Sequence, residues 1–148
     1  MIEHAIEILL VEDNPNDVEL AIYAFHKSNL ASRIQVVRDG VEALQFIFRS
    51  GASSERLPKD NQRLILLDLK LPKVDGVEVL RQIKANPHTR RIPVVVMTSS
   101  REDQDIQTCY ELCANSYIVK PVDFEKFIEA VTILGQYWLV YNQPPVSP

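Results

Sequence analysis

Five short, β-rich apolar runs alternate along this chain with segments whose apolar residues recur at helical spacing. No other sequence feature restricts the fold as strongly. The runs are IEILLVE (6–12), RIQVVRDG (33–40), LILL (64–67), IPVVVM (92–97) and NSYIVKP (115–121). Between the first two, Val18, Ala21, Ile22 and Phe25 mark a helix, with Asn14 as N-cap and Pro15 at its first position. Val41, Leu44, Ile47 and Phe48 mark a second helix. Val77, Leu80 and Ile83 mark a third, stopped by Asn86-Pro87. Ser100 is placed to cap a fourth, with Asp103 reaching back. Asp123 caps a fifth that runs to about Tyr141.

Repeated strand–helix pairs imply a parallel sheet with helices on both faces. Right-handed crossovers make it a doubly wound, flavodoxin-like α/β fold with five strands and five helices. A length of 148 residues suits one domain. That domain is read as residues 1–141, followed by a flexible polar, Pro-rich tail at 142–148. The polar stretch 49–63 reads as a surface loop. Near-continuous apolar strands fit a sheet buried on both faces. In such sheets ligands bind beyond the carboxyl ends of the strands.

Those ends carry an unusual set of residues. The first strand ends in Glu12-Asp13, the third in Asp68, the fourth in Thr98-Ser99 and the fifth in Lys120-Pro121. A lone strand-end Asp is ordinarily a cap or turn former, and Glu12-Asp13 before Asn-Pro could merely start a helix. Together they are costly: two carboxylates about 5 Å apart repel by roughly 3 kcal/mol at an effective dielectric near 20. Such a cluster wants a cation, from Lys120 and from a divalent ion. All-oxygen ligands suggest Mg²⁺, with Mn²⁺ as an alternative, rather than zinc. A hydroxyl at Thr98 and an ammonium at Lys120 suit a phosphoryl group. The chemistry implied is phosphoryl transfer onto the carboxylate of Asp68. No glycine-rich phosphate loop is present, and the chain has 4 glycines in all.

Other classes fit poorly. A net charge of -4, with no basic run beyond Arg90-Arg91, argues against nucleic acid. The start MIEHAIEILLVEDN lacks a basic leader, and its apolar run is too short to span a membrane, so a cytoplasmic location is expected. Cys109 and Cys113 share a helix face and read as small buried hydrophobes in a reducing compartment. His4, His26 and His88 are scattered and read as surface residues.

From about Glu7 to Tyr141 the chain resembles the receiver domains of two-component response regulators. The resemblance rests on LLVEDN, LILLDLKLPKVDG, PVVVMTSS and YIVKP, in that order. Within the family it looks most like the single-domain regulators of cyanobacterial and bacterial phytochromes, through VEDNPNDVEL, RRIPVVVMTSS and ANSYIVKPVDFEKF. The resemblance implies that a histidine kinase phosphorylates Asp68. It implies Mg²⁺ held by Asp13, Asp68, Glu12 through a water, and the backbone carbonyl of Lys70. Lys120 would pair with the phosphoryl oxygens, and its bond to Pro121 would be cis. Thr98 would turn to the phosphate and Tyr117 swing inward, a two-state switch. The bland reading of Tyr117 is a half-buried strand aromatic.

The fifth helix bears on output. Glu125, Glu129, Thr132 and Gln136 fall in one narrow polar wedge. Phe127, Val131, Leu134 and Trp138 form the expected core stripe. Ala130, Ile133, Tyr137 and Val140 lie outside both, yet are apolar. They suggest a homodimer through the fourth helix, fifth strand and fifth helix. Alternatively, the tail or the fourth helix covers them. Three functions compete: a phosphorylated switch that is not itself a turnover enzyme, an Mg²⁺-dependent aspartyl-phosphate phosphohydrolase, and a pseudo-receiver that only binds partners. Hydrolases of that kind commonly carry an acid two residues after the nucleophile, where this chain has Lys70.

Overall fold

The computed structural model describes residues 6–30, 34–48 and 62–145. In chain order the elements are β1 (Ile8–Val11), α1 (Pro15–Lys27), β2 (Ile34–Val37), α2 (Gly40–Phe48), β3 (Leu64–Leu67), α3 (Gly76–Ala85), β4 (Val94–Thr98), α4 (Asp103–Glu111), β5 (Ser116–Val119) and α5 (Phe124–Gln136), followed by a π turn (Tyr137–Tyr141). The strands form one sheet in the order β2-β1-β3-β4-β5, and every pairing is parallel. The expected doubly wound fold is therefore the one observed. Chain direction across the sheet reverses between β1 and β3, the place where such folds open a crevice.

Period-two alternation divides the core between the two faces of the sheet. Leu9, Val11, Ile65, Leu67, Val94 and Val96 face α2, α3 and α4, where Ile47, Leu80 and Cys109 complete one cluster. Ile8, Leu10, Leu64, Leu66, Val95 and Met97 face α1 and α5, where Phe25, Phe127 and Val131 complete the other. The central strands β1, β3 and β4 are buried throughout, as their unbroken apolar runs require.

The helix ends depart from expectation in three places. The N-cap of α4 is Glu102 and not Ser100. The Ser100 hydroxyl donates to Asp105 Oδ2 at 2.5 Å and accepts the Glu102 N–H at 3.3 Å, and the Ser100 N–H, which the expected box gives to Asp103, points to Thr98 Oγ1 at 3.5 Å. Cys109 is buried but Cys113 is exposed. The helix has stopped at Glu111, and Cys113 turns left-handed with φ 71°, which takes it off the shared face. At the end of α5, Phe127, Val131 and Leu134 are buried as expected, but Leu139 takes the next core position and Trp138 is half-buried. The wider π turn shifts the phase of the helix, and its i→i+5 bond is visible as Asn142 N–H donating to Tyr137 O.

The polar stretch 49–63 falls mostly outside the described residues; its last two, Gln62 and Arg63, are buried and half-buried rather than exposed. The first tail residue is tied down, with Arg63 Nη2 donating to Asn142 O at 3.3 Å, and 146–148 lie outside the described residues. His26 and His88 are exposed, and His4 is outside the described residues. Among the described residues no helix is long and apolar enough to cross a membrane.

Candidate functional site

Strand register assembles the site. Val11 pairs with Leu67, so the next residues, Glu12 and Asp68, emerge side by side. Thr98 pairs with Val119, so Lys120 emerges next to it. Each of these strands continues its ladder by one bond: Glu12 N–H to Val37 O, Asp68 N–H to Val11 O and Lys120 N–H to Thr98 O. The backbones that carry the acids and the lysine are thus held by the sheet itself and not by a loop. One carboxylate oxygen from each of Glu12, Asp13 and Asp68 lies within 4.8 Å of the others. Glu12 and Asp68 are buried, at 4% and 6% exposure, while Asp13 faces solvent.

Lys120 Nζ lies 2.9 Å from Glu12 Oε1, 2.9 Å from Asp68 Oδ2 and 2.8 Å from Asp17 Oδ2. Asp17 was not anticipated. Its sequence signal, an acid three residues after the N-cap Asn14, looks like helix capping and nothing more. Burial, with Asp68 as neighbour, pushes Glu12 up to about 7 against the opposing pull of Lys120 and the Asn14 N–H. Burial alone would lower Lys120, but its hydrogen bonds to Asp17, Glu12 and Asp68 outweigh that and raise it above the usual lysine value.

The donor set fits a hard divalent cation. Three carboxylates can converge, all donors are oxygen, and the exposed Asp13 leaves a solvent side where bound water would remain. Soft thiolate or imidazole partners are missing from this cluster, which disfavours zinc.

The loop after Asp68 folds back on it. Lys70 is exposed, and its N–H donates to Asp68 Oδ1 at 3.3 Å. Gly76 N–H donates to Leu69 O, and a Cβ on Gly76 would sit 2.3 Å from the Asp68 carbonyl oxygen. Only a residue without a side chain lets α3 start this close to the phosphoryl-accepting candidate. Thr98 is fully buried at the end of β4, and Ser99 is exposed. Tyr117 is half-buried against the α2–α3–α4 core, and its hydroxyl donates to Ser100 O at 3.0 Å. Burial pushes that phenol up, the Ser100 contact opposing. No cis peptide bond occurs among the described residues, so Lys120–Pro121 is trans, the ordinary preference of such bonds. The expected cis bond is not found.

Of the surface residues singled out on α5 and beyond, Ile133, Tyr137 and Val140 are 57%, 49% and 62% exposed. Ala130 is half-buried and packs on the α1–α5 core instead. Neither α4 nor residues 142–145 cover the exposed three. Tyr110, Val122 and Phe124 are further exposed apolar residues that the sequence reading passed over.

The family described as response regulator receiver domain matches residues 8–132. The "Probable methanogenesis regulatory protein FilR2" of Methanothrix harundinacea is 44% identical over 93% of this chain and 86% of its own length. Response regulator Rcp1 of Synechocystis sp. is 41% identical over 89% of this chain and 88% of its own length. Its Mn²⁺-bound crystal structure superposes with a TM-score of 0.81 at 37% identity, covering 94% of this chain and 98% of that one. The phosphorylated cyanobacterial phytochrome response regulator RcpA superposes with a TM-score of 0.86 at 37% identity, covering 96% and 99%. The match runs from β1 into α5 and takes in all four strand ends that build the acidic cluster and its lysine, and on that ground the chain belongs to the response regulator receiver domain family.

Proposed function

We propose that this chain is a signalling switch that accepts a phosphoryl group on Asp68 from a sensor histidine kinase, with Mg²⁺ (or Mn²⁺) at Glu12, Asp13, Asp68 and the Lys70 carbonyl. The observation that carries it is Lys120 Nζ at 2.9 Å from Asp68 Oδ2, beside the convergent oxygens of Glu12 and Asp13. In the transfer, an Asp68 carboxylate oxygen attacks phosphorus as the P–N bond to the kinase histidine breaks, and the imidazole leaves. A bound divalent cation supplies charge neutralisation at the phosphoryl oxygens. Lys120, 2.9 Å from Asp68 Oδ2, supplies a second positive charge there. Thr98 then turns its hydroxyl to the phosphoryl group, and Tyr117, whose hydroxyl donates to Ser100 O in the resting chain, swings inward to fill the vacated space. A local charge change thereby biases a two-state element.

The Mn²⁺-bound Rcp1 relative supports the metal assignment. Similarity to the cyanobacterial phytochrome response regulator RcpA supports a phytochrome-type kinase as partner. Free Cys109 and Cys113 fit the reducing cytoplasm where such a kinase domain acts. Lys70, where a hydrolase would place an acid, weighs against turnover of phosphate esters. Output passes through a homodimer built on α4, β5 and α5, for which the exposed Ile133, Tyr137 and Val140 supply apolar area.

Incubation with Mg²⁺ and acetyl phosphate, read by intact mass, is expected to add one phosphoryl group to the wild type and none to Asp68→Asn. Absence of labelling, with no spectroscopic response to beryllium fluoride, supports the pseudo-receiver instead. Rapid multiple turnover of phosphate monoesters supports the hydrolase. Light scattering after size exclusion tests the dimer, and a strict monomer at every micromolar concentration overturns it.

A further inference from the structure

Lys120 has three N–H donors and three carboxylate partners. Two of them, Glu12 and Asp68, belong with Asp13 to the cluster that can hold a cation. The third, Asp17, does not, and it stands on a different element, at the third position of α1. An acid there ordinarily bonds back to the N-cap N–H or faces the positive helix end. In this chain the first role is already filled. Asn14 N–H donates to Glu12 Oε2 at 3.2 Å, and Asn14 Oδ1 accepts the N–H groups of Asn16 and Asp17 at 2.9 and 3.3 Å. Glu12 thus closes the cap of α1 with one oxygen and meets Lys120 with the other. The carboxylate of Asp17 is released from capping and turns to an ammonium 103 residues away.

A cation at the cluster would draw on the carboxylates of Glu12 and Asp68, and phosphorylation on that of Asp68, and Lys120 holds both. Asp17 is the partner they leave untouched. We propose that Asp17 is a positioning residue for the phosphoryl reaction: it anchors Lys120 from α1, so that the ammonium keeps a carboxylate partner beside the incoming phosphoryl group when a cation draws on Glu12 and Asp68. This rests on the reading of Asp68 as phosphoacceptor. Without Asp17, Lys120 settles wholly on Glu12 and Asp68 and competes with the cation for them.

The test compares wild type, Asp17→Asn, Asp17→Glu, Lys120→Met and the Asp17→Asn/Lys120→Met double variant. Mn²⁺ binding to the resting protein is followed by the electron paramagnetic signal of the free ion, and labelling rate by acetyl phosphate at saturating Mg²⁺. Asp17→Asn is expected to weaken Mn²⁺ by about tenfold through competition by Lys120, the size typical of losing a group just outside a metal's ligands. Its labelling rate is expected to fall by about tenfold or more, as misplacement of a reacting group does. Asp17→Glu restores most of both. In the Lys120→Met background Asp17→Asn costs little further labelling, and its Mn²⁺ effect shrinks, because the two residues act as one unit. A labelling rate near wild type in Asp17→Asn, or an equal loss with and without Lys120, overturns the proposal. If the wild type binds Mn²⁺ but never labels, the phosphoacceptor reading fails, and the Mn²⁺ series alone decides whether Asp17 controls Lys120.

Discussion

Two half-buried lysines sit at opposite ends of the sheet, and the difference between them separates a structural tie from a reactive site. At the carboxyl end, Lys120 meets the carboxylates of Glu12, Asp17 and Asp68 at 2.8–2.9 Å. At the amino end, Lys84 Nζ donates to Arg90 O at 3.0 Å, Ile92 O at 2.9 Å and Asn115 Oδ1 at 3.1 Å. The number and length of the contacts are alike; the charge of the acceptors is not. Burial pushes Lys84 down to about 8, with Cys113 opposing, whereas the carboxylates overcome burial and raise Lys120. A neutral cage closes the ends of α3, β4 and β5 without storing charge. A charged cage holds excess negative charge, which a cation or a phosphoryl transfer can use.

Removing each ammonium is the strongest way to break this contrast. Lys120→Met leaves buried carboxylates facing one another without a counter-charge. It is expected to cost about 2–4 kcal/mol of stability near pH 7.5 in chelator, below the figure for a sealed pair because Asp13 keeps the site open to water. It is also expected to slow labelling of Asp68 by acetyl phosphate by about tenfold or more. Lys84→Met strands neutral acceptors and is expected to cost about 1–3 kcal/mol, with labelling of Asp68 unchanged. Urea unfolding and acetyl phosphate labelling of both variants check this. Equal labelling losses in the two would erase the distinction.

The two ends should also answer pH in opposite directions. Glu12 titrates at about 7 in the folded chain against 4.5 for the free group. Its protonated form is favoured by folding, so its contribution is full below about 4.5 and is lost as pH rises through 7. The size is at most about 3 kcal/mol. Lys84 titrates at about 8 against 10.5. Its contribution is full above 10.5 and is lost as pH falls through 8. Metal-free wild type should therefore lose stability between pH 5 and pH 7.5, and regain some between pH 8 and pH 10. Saturating Mg²⁺ should flatten the first slope, because the cation replaces the proton at Glu12, and leave the second alone. Urea midpoints across this range, with and without Mg²⁺, test both slopes. A Glu12→Gln variant that keeps the acid-side slope would remove Glu12 as its source.

How far these two ends could be read from sequence follows from what positions them. The carboxyl-end residues Glu12, Asp68, Thr98 and Lys120 each finish or directly follow a strand, so recognising the strands located them. Asp17 escaped because it lies on a helix whose packing, not whose sequence pattern, aims it at Lys120. Lys84 escaped for a related reason: its contact with Asn115 joins residues 31 apart and depends on how α3 lies against the start of β5. Local patterns also misled. Trp138 fits a helical period of 3.6, and nothing in YWLVY announces the wider π turn that buries Leu139 instead. Cys113 follows Cys109 by four, the spacing of a shared face, but the left-handed residue that ends this helix is not a glycine and gives no stop signal.

The finest adjustment converts one cage toward the other. Asn115 is exposed, and its Oδ1 accepts from Val94 N–H at 2.8 Å as well as from Lys84. Asn115→Asp keeps an acceptor in that place and adds a charge. Solvent access makes the net change in stability small, within about 1 kcal/mol at neutral pH. The proton equilibrium should move more visibly than the stability. An acid beside Lys84 favours the ammonium, so its titration shifts upward from about 8, and the alkaline gain in stability weakens with it. Lysine side-chain NMR through pH 7–11 reads the shift directly. If Lys84 keeps its low titration in Asn115→Asp, the charge of the partners is not what distinguishes the two lysines, and depth of burial alone must be. If it rises, one carboxylate has moved a structural lysine part of the way toward the state of Lys120, while Asp68, at the far end of the sheet, should label at its former rate.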